Sequence, residues 1–236
     1  TFLDTSQLDS DDRMRCQYNP VGTKFGRISS SENIFGTGTN LQNIPHEVLT
    51  YFLADEGYVL YSLDMSQIEN RIVAYVGNIG AMIEAFERGD DVHRLTAAMT
   101  LSLLGQSRNV NTVTSQERQD FGKRPNHAFN YGYSYRAYSL KYEIPERDAK
   151  RIHQAYHLSY PQLRGSYWNY IEQQLKESRT LTTLMDRKIQ FLGYWSDTLL
   201  HEAYSAIPQS TCGDHVNERG IEFIYYNTDP LFKPVE

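Results

Sequence analysis

The stretch Tyr58-Val-Leu-Tyr-Ser-Leu-Asp-Met-Ser-Gln-Ile-Glu-Asn-Arg-Ile-Val-Ala-Tyr-Val76 contains the change of pattern that decides the fold. Its first part, Tyr58 to Leu63, is mostly apolar and follows a turn, which predicts a short strand. From Ser66 the apolar residues recur at helical spacing, so we expect a helix with Ser66 as its N-cap. Asp64 then lies between strand and helix, where a carboxylate can bind a hard cation such as Mg²⁺. Capping of the helix is the alternative role for Asp64.

Composition predicts an ordered globular protein. The 236 residues are 40% hydrophobic and 13% aromatic, enough for one or two domains. No apolar run approaches membrane-spanning length, the N-terminus does not resemble a signal peptide, and Cys16 and Cys212 match neither a metal site nor a disulfide framework. We therefore expect no membrane partner and no secretion, but a place in a bacterial or host cytoplasm, or in an organelle.

The charge is unevenly distributed along the chain. The net charge is −6, but residues 118–188 contain 13 basic and 7 acidic residues, a net of +6, which leaves −12 for the rest. A basic middle segment suits a surface that faces phosphates, although a solvated helix face would give the same count.

Four residues in the segment Val113 to Tyr135 recur every fourth position: Lys123, His127, Tyr131 and Tyr135. On a helix they would form one face, and this mixture suits a nucleoside triphosphate better than a core. Thr114-Ser-Gln-Glu117 predicts a capping box at the start of this helix. Pro125 indicates either a kink or the true start of the helix.

The segment Asp64-Met-Ser-Gln-Ile-Glu-Asn-Arg71 resembles the first palm motif of the family A DNA polymerases, the DNA polymerase I-like group. Three further segments resemble motifs of this family in the same order. The resemblance implies an α+β, mostly helical fold, in which helical fingers are inserted into a palm with an incomplete antiparallel sheet. It assigns residues 1–84 and 199–236 to the palm and 85–198 to the fingers.

The resemblance also implies the nucleotide-binding residues. Lys123 stands where the family has Arg, and His127 where it has Lys, so both are expected to bind the triphosphate. Because a triphosphate favours a protonated imidazole, His127 is also a candidate general acid toward pyrophosphate. The other expected contacts to the nucleotide come from Gln67, Glu69, His93, Tyr131 and Tyr135, with Glu69 and Tyr135 closing the sugar pocket against a 2′-hydroxyl.

The residues expected to bind DNA come from three segments. In the stretch from Gly22 to Pro45, the family's Gly-Arg-Leu-Ser-Ser and Asn-Leu-Gln-Asn-Ile-Pro elements are matched, and Ile207-Pro-Gln-Ser-Thr-Cys-Gly-Asp214 resembles the palm helix. The implied contacts to the primer-template are made by Arg27, Asn40, Gln42, Asn43, Arg71 and Gln209.

The implied reaction is template-directed nucleotidyl transfer from a dNTP to the primer 3′-hydroxyl, with two Mg²⁺ ions held by Asp64 and the Met65 carbonyl. The family's second metal-binding motif, His-Asp-Glu or His-Asp-Ser, does not occur before Glu236. We therefore expect residues 1–236 alone to be inactive, and a separate chain carrying the C-terminal palm is a possible partner. The alternatives are a non-catalytic nucleic-acid-binding protein, one chain of a split polymerase, or a family A RNA polymerase, which Glu69 disfavours.

Periodicity and turn residues predict the remaining elements. A lone His93 beside two acids would by itself be a surface residue, although the resemblance puts it near the triphosphate. The predicted elements are helices at 81–88, 90–99, 143–153, 161–178 and 199–226, and a hairpin at 181–192 turning at Met185-Asp-Arg187.

Overall fold

The computed structural model describes residues 2, 4–45, 47–60, 64–221 and 226. The chain forms two compact units, one of Thr1–Ser66 with Gly213–Glu236 and the other of Gln67–Cys212. The fold is α+β and mostly helical, which confirms the predicted class. The palm and fingers boundaries at 84/85 and 198/199 remain predictions.

The first unit is largely irregular and contains one two-stranded antiparallel sheet. Strand β1 (Gln17–Asn19) pairs with β2 (Ser29–Ser31), with Tyr18 opposite Ser30. Partly buried polar contacts hold the loop that follows, because the Ser30 hydroxyl lies 2.6 Å from Asn40 Oδ1 and 3.1 Å from Gln42 Oε1. Short 3₁₀ turns complete the described part of this unit: Thr5–Gln7, Leu41–Asn43 and Leu49–Tyr51.

The predicted strand from Tyr58 to Leu63 is wrong where the structure describes it. Residues 58–60 are irregular and exposed, and residues 61–63 lie outside the described part of the chain. A strand persists only when a neighbour exchanges backbone hydrogen bonds with it. Among the described residues, strands pair only between β1 and β2 and between the two strands of the hairpin in the second unit. Asp64 therefore does not end a described strand.

The second unit is built from helices. Its α-helices are α1 (Ile68–Val76), α2 (Gly80–Glu87), α3 (Val92–Leu103), α4 (Ser115–Glu117), α5 (Arg124–Phe129), α6 (Tyr135–Tyr142), α7 (Glu146–Ser159), α8 (Asn169–Ser178) and α9 (Asp197–His215), of which α9 extends into the first unit. This unit has π-helical segments at Arg118–Lys123 and Leu163–Trp168, and a further π-helical segment, Val216–Ile221, belongs to the first unit. The predicted hairpin is confirmed as strands β3 (Thr180–Thr182) and β4 (Lys188–Gln190).

The N-termini of the helices show which N-caps the local sequence predicts correctly. The capping box of Thr114 and Glu117 is formed with both of its hydrogen bonds, and the Asp91 carboxylate caps α3 by accepting from the backbone of His93 and Arg94. The predicted N-cap of α1 is wrong by one residue. Gln67 occupies that position with a φ of 54° and makes no side-chain cap hydrogen bond, because the chain enters α1 through a left-handed turn.

The stripe predicted on a single helix is interrupted in the structure. Segment Arg118–Lys123 is π-helical and continues without a break into α5, so Pro125 lies inside a continuous helical run, directly after the π-helical segment. Helix α5 ends at Phe129, and Gly132 turns the chain with a φ of 82°. Tyr135 is the first residue of α6 and therefore does not continue the face of α5.

Aromatic side chains form much of the core between α5, α6 and α7. The ring of Phe129 packs 4.6 Å from that of Tyr138 and 5.4 Å from that of Tyr156, measured between ring centroids. Tyr156 also contacts Tyr160, with the ring centroids 5.2 Å apart. All four side chains are buried, so this cluster fixes α5 against α7.

Helix α9 contains a proline, and a tyrosine compensates for it. Pro208 has no N–H to donate to the carbonyl of Tyr204, four residues earlier. The hydroxyl of Tyr167 donates to that carbonyl at 2.5 Å, so the carbonyl keeps a partner and the helix continues to His215. The described part of the predicted 199–226 helix confirms it as far as His215, with a π-helical continuation to Ile221.

No helix in the described residues has the length and apolar character needed to cross a membrane.

Candidate nucleotide-binding site

A small polar cavity lies within the second unit. Its volume is about 10 Å³, which is room for about one water molecule. Four of its residues are among those predicted to bind the nucleotide, and three are asparagines that the sequence did not indicate. The lining consists of Glu69, Asn70, His93, Asn126, His127, Asn130 and Tyr131.

The cavity has a buried polar floor and an exposed basic rim. His93 is 4% exposed, and Asn126 and Asn130 are 1% and 3% exposed. In contrast, the side chains of His127 and Lys123 are exposed to solvent. We call His127, which lines the cavity, and Lys123, four residues before it in the same helical run, the basic rim.

Glu69 and Tyr131 form the wall where the sequence predicted the sugar. The Tyr131 hydroxyl donates to Glu69 Oε2 at 2.5 Å, across 62 positions of sequence. The predicted partner of Glu69 in closing the sugar pocket, Tyr135, does not line the cavity. Its ring instead contacts His153, with centroids 6.2 Å apart, and the cations of Arg136 and Lys150. The break between α5 and α6 accounts for this difference.

His93 is a buried neutral histidine, contrary to the surface position that an isolated His would suggest. Burial, reinforced by the positive charges of Arg118 and His127, lowers the pKa of His93 to about 3. Its Nδ1 lies 2.9 Å from Asn126 Nδ2, and its ring centroid lies 6.0 Å from that of His127. The neutral imidazole therefore offers a hydrogen bond rather than a charge.

Two contacts fix the position of His93. Arg118 donates to the Asp91 carboxylate at 2.6 Å, and Asp91 in turn caps the first turn of α3. Burial alone would raise the pKa of Asp91, but Arg118 and the helix N–H groups outweigh it and hold the pKa below its usual value. Gly122 provides the second contact, because a Cβ there would come within 1.9 Å of the His93 carbonyl oxygen.

A chain of buried hydrogen bonds runs behind the cavity. The Tyr156 hydroxyl donates to Asn130 Oδ1 at 2.6 Å and lies 3.0 Å from Asn126 Oδ1. Asn130 Nδ2 donates to Asn70 Oδ1 at 2.7 Å, and the Trp168 indole donates to the Asn130 carbonyl at 2.9 Å. Spacing could have indicated part of this chain, because Asn126 and Asn130 are four residues apart, as one helix face requires.

The remaining residues predicted to bind the nucleotide do not line the cavity. Lys123 lies close enough for its charge to contribute to the lowered pKa of His93. Gln67 is half-buried, and its Oε1 has no hydrogen-bond partner among the described residues.

Most of the residues predicted to bind DNA lie in the first unit. The amide oxygens of Asn40 and Gln42 contact Ser30 and so shape their own loop, and Gln42 and Asn43 are both exposed. Arg27 lies beside Gly213, where an added Cβ would be 3.4 Å from the arginine Cγ. In the second unit, the Arg71 guanidinium lies 4.3 Å from the centroid of the Phe86 ring, and the half-buried Gln209 follows Pro208 on α9.

The predicted metal ligands Asp64 and Met65 also lie in the first unit. Asp64 is exposed and Met65 is half-buried. No group of three or more His, Cys, Asp or Glu side chains in the described part of the chain could hold a metal ion. A Mg²⁺ site does not need such a group, because Mg²⁺ is often bound by one or two carboxylates together with substrate phosphates.

Comparison with solved structures assigns the fold to the polymerase domains. The chain is similar to a structure described as the POL domain of Pol1 from M. smegmatis in complex with DNA primer-template and dNTP. The TM-score is 0.75 at 24% identity, over 97% of this chain and 41% of that one. The likeness at this identity establishes the fold.

The sequence establishes the family. The family model for DNA polymerase family A matches residues 2–207, and the chain belongs to this family. It is 31% identical over 173 residues to the thermostable DNA polymerase I of Thermus aquaticus, covering 71% of this chain and 19% of the relative. The DNA polymerase I of Helicobacter pylori is 29% identical over 217 residues, covering 87% and 22%. The chain thus spans about a fifth of the length of these curated relatives.

Proposed function

We propose that this chain binds an incoming dNTP on its surface over the small cavity between α1, α3 and α5, with the buried asparagines beneath the ligand, and takes part in template-directed DNA synthesis. In this reaction the primer 3′-oxygen loses its proton and forms a bond to the α-phosphorus of the dNTP. The bond between the α-phosphorus and the oxygen that bridges it to the β-phosphate breaks, and pyrophosphate leaves. The observation that carries the proposal is the Glu69–Tyr131 hydrogen bond of 2.5 Å in a cavity that has His93 and His127 on its other side.

The basic rim suits the triphosphate. Lys123 and His127 are exposed and can each form a charge-assisted hydrogen bond with a phosphate oxygen. His93 is buried and neutral and would add a hydrogen bond without a further charge. His127, once protonated beside the triphosphate, is our candidate to give its proton to the leaving pyrophosphate.

The Glu69–Tyr131 wall suits the sugar. A carboxylate at this position leaves no room for a ribose 2′-hydroxyl, which supports a deoxynucleotide over the RNA polymerase alternative. We assign the second sugar-contacting residue to Tyr131 rather than Tyr135, because the Tyr131 hydroxyl bonds to Glu69 and Tyr131 lines the cavity, whereas Tyr135 does not line it.

Asp64 and the Met65 carbonyl are our candidate ligands for Mg²⁺. Both supply hard oxygen atoms, and the carboxylate of Asp64 is exposed, as a site completed by substrate phosphates requires. When bound, Mg²⁺ would neutralise charge on the phosphate oxygens. The exposed Asn43 and the basic Arg27 and Arg71 are the candidates to hold the primer-template, with Gln209 at its minor groove.

A nucleotide titration of the purified chain tests the proposal. We expect a dNTP and inorganic triphosphate to bind, and a deoxynucleoside monophosphate to bind much more weakly. Lys123→Ala and His127→Ala should each weaken triphosphate binding by about ten- to a hundredfold, the value of one charge-assisted hydrogen bond.

Lys188→Ala is the matched control, because Lys188 is an exposed lysine on β4 that lines no part of the cavity. Equal losses in all three variants would mean that only the overall charge of the unit is sensed. Absence of dNTP binding would refute the proposed function and favour a nucleic-acid-binding role without catalysis.

A further inference from the structure

Two hydrogen bonds lie side by side between α1 and the end of α5. Glu69 accepts from Tyr131 at 2.5 Å, and the next residue on each side forms the second bond, in which Asn130 donates to Asn70 at 2.7 Å. The second pair is deeply buried, since Asn70 is 5% exposed and Asn130 is 3% exposed. The two bonds therefore join the same turns of backbone, one at the cavity wall and one beneath it.

Three hydrogen bonds hold Asn130 in this position. Its Nδ2 bonds to Asn70, its Oδ1 accepts from the Tyr156 hydroxyl at 2.6 Å, and its backbone carbonyl accepts from the Trp168 indole at 2.9 Å. Tyr156 belongs to the buried ring cluster, and the Trp168 ring stacks on that of Tyr204 at 4.9 Å. Asn130 thus ties the cavity to side chains that cannot easily move.

Tyr131, which follows Asn130, is also constrained by the residue after it, Gly132. Gly132 has a φ of 82°, and a Cβ there would lie within 2.9 Å of the His201 ring. Tyr131 is therefore positioned between a fixed asparagine and a tight left-handed turn. Its hydroxyl has little freedom to leave Glu69 unless the Asn70–Asn130 bond lengthens.

We infer that the buried Asn70–Asn130 pair is a positioning device for the Glu69–Tyr131 wall, and that it sets how strongly the site selects a deoxyribose over other sugars. The inference rests on the proposed function. It assigns Asn70 and Asn130 no contact with the substrate, because they act through their neighbours in sequence. The triphosphate-binding residues Lys123 and His127 lie outside this pair of bonds, so triphosphate affinity should not depend on it.

The test measures sugar selectivity separately from triphosphate affinity. The affinities of a dNTP, the matching rNTP, the matching dideoxynucleotide and inorganic triphosphate are compared in the wild type, Asn70→Leu and Asn130→Ala. Leucine has the same branched side chain of four heavy atoms as asparagine but removes the acceptor, so Asn70→Leu carries the test if Asn130→Ala does not fold. We expect both ratios, dNTP to rNTP and dNTP to dideoxynucleotide, to change by about tenfold, the effect of one lost hydrogen bond, while triphosphate affinity stays unchanged.

Three comparisons separate positioning from mere stability. Combining the two substitutions should change the ratios little further, because either one already breaks the bond. Asn70→Asp keeps the accepting oxygen, and Asn70 Nδ2 has no hydrogen-bond partner among the described residues, so its ratios should stay closer to those of the wild type than the ratios of Asn70→Leu do. Tyr167→Phe also removes a buried hydrogen bond, at α9, and should lower thermal stability without altering the ratios.

Unchanged sugar ratios in a folded Asn70→Leu variant would overturn the inference and leave the proposed function intact. Parallel losses for every ligand, inorganic triphosphate included, would also overturn it, because the pair would then support the whole cavity. If the wild-type chain bound no dNTP, both the proposed function and this inference would be refuted. The failure of the inference alone can therefore be distinguished from the failure of the proposed function.

Discussion

At the scale of single residues, His127 differs most from a simple phosphate-binding cation. A lysine keeps its positive charge up to a pH of about 10, whereas an unperturbed imidazole loses it near pH 6.5. His127 is exposed at the edge of the cavity, where a bound phosphate would favour the protonated imidazole.

We therefore expect the affinity for a dNTP to fall as the pH rises from about 6 to 9, since the imidazole loses its charge over this range. In His127→Lys the affinity should stay nearly constant over the same range. Titrations at several pH values measure this difference between the two proteins, and a change in the ionisation of the phosphates themselves would affect both proteins equally. Superimposable profiles for wild type and variant would show that His127 does not contact the triphosphate.

His157 presents the opposite case, a histidine with no polar partner. Both ring nitrogens are buried without a hydrogen-bond partner among the described residues, and the rings of Trp168 and Tyr156 lie 5.4 and 5.6 Å away. We expect His157→Phe to raise the free energy of unfolding by about 1–3 kcal/mol, because it removes two unsatisfied polar atoms. Denaturant unfolding measures this gain, and His215→Phe, at an exposed position, should change stability by less than about 0.5 kcal/mol.

The same substitution should also alter the dependence of stability on pH. Burial, with the charges of Arg164 and His153, lowers the pKa of His157 to about 3. The folded state then stays neutral there while the unfolded chain takes up a proton below about pH 6.5, so this contribution to stability is lost as the pH falls from about 6.5 toward 3. The advantage of His157→Phe should grow between pH 7 and pH 4, and a constant difference would contradict the buried neutral state.

At the scale of elements, the π-helical segment Arg118–Lys123 sets the distance between α3 and the candidate nucleotide-binding residues. Gly122 allows this contact, since a Cβ would come within 1.9 Å of the backbone oxygen of His93. Gly165 lies in the π-helical segment Leu163–Trp168, where an added Cβ would meet nothing within 4 Å. The two glycines therefore form a matched pair.

We expect Gly122→Ala to destabilise the fold by about 1–3 kcal/mol through overpacking, and to weaken dNTP binding because His93 is displaced. Gly165→Ala should be neutral or stabilising by up to about 1 kcal/mol, because alanine suits a helix better than glycine. Thermal unfolding and the nucleotide titration together measure both effects. Equal stability of the two variants would mean that α3 can move away without cost.

At the scale of the whole molecule, charge distribution predicts how the chain meets DNA. Residues 118–188 carry a net charge of +6 in a chain whose net charge is −6. Basic residues both outside and inside that run are paired with acids, as Arg15 is with Asp11 and Arg118 with Asp91 at 2.6 Å each, so it is the net charge that distinguishes the run. The middle segment is therefore the candidate surface for phosphates.

We expect binding to a primer-template to weaken steeply with salt, by about a thousandfold between 50 and 200 mM if six phosphates are contacted, because counterions are released on binding. Replacing Lys123, Lys150 and Lys188 by Gln should make the slope of affinity against salt shallower. The same change at Arg13, Arg15 and Arg88, which are paired with acids, should leave the slope unchanged. If both sets of replacements changed the slope of affinity against salt equally, the DNA would not bind mainly to the surface formed by residues 118–188.

The sequence by itself determined the family, most of the helices, the capping box at Thr114 and the hairpin at β3 and β4. These features depend on residues a few positions apart, so their physical causes lie in short stretches of chain. It also identified Glu69, His93, His127 and Tyr131, all of which line the cavity. The predicted strand at 58–63 was wrong over its described part, because a strand depends on a distant partner that local pattern does not contain.

Only the tertiary structure decided which of these residues meet. Tyr131 rather than Tyr135 bonds to Glu69, because α5 ends at Phe129 and the chain turns at Gly132 before α6 begins. Asn70 and Asn130 meet across 60 positions of sequence, and His93 is neutral because neighbouring helices remove it from water. Burial and contacts between distant segments depend on how whole helices pack, and no local pattern specifies that packing.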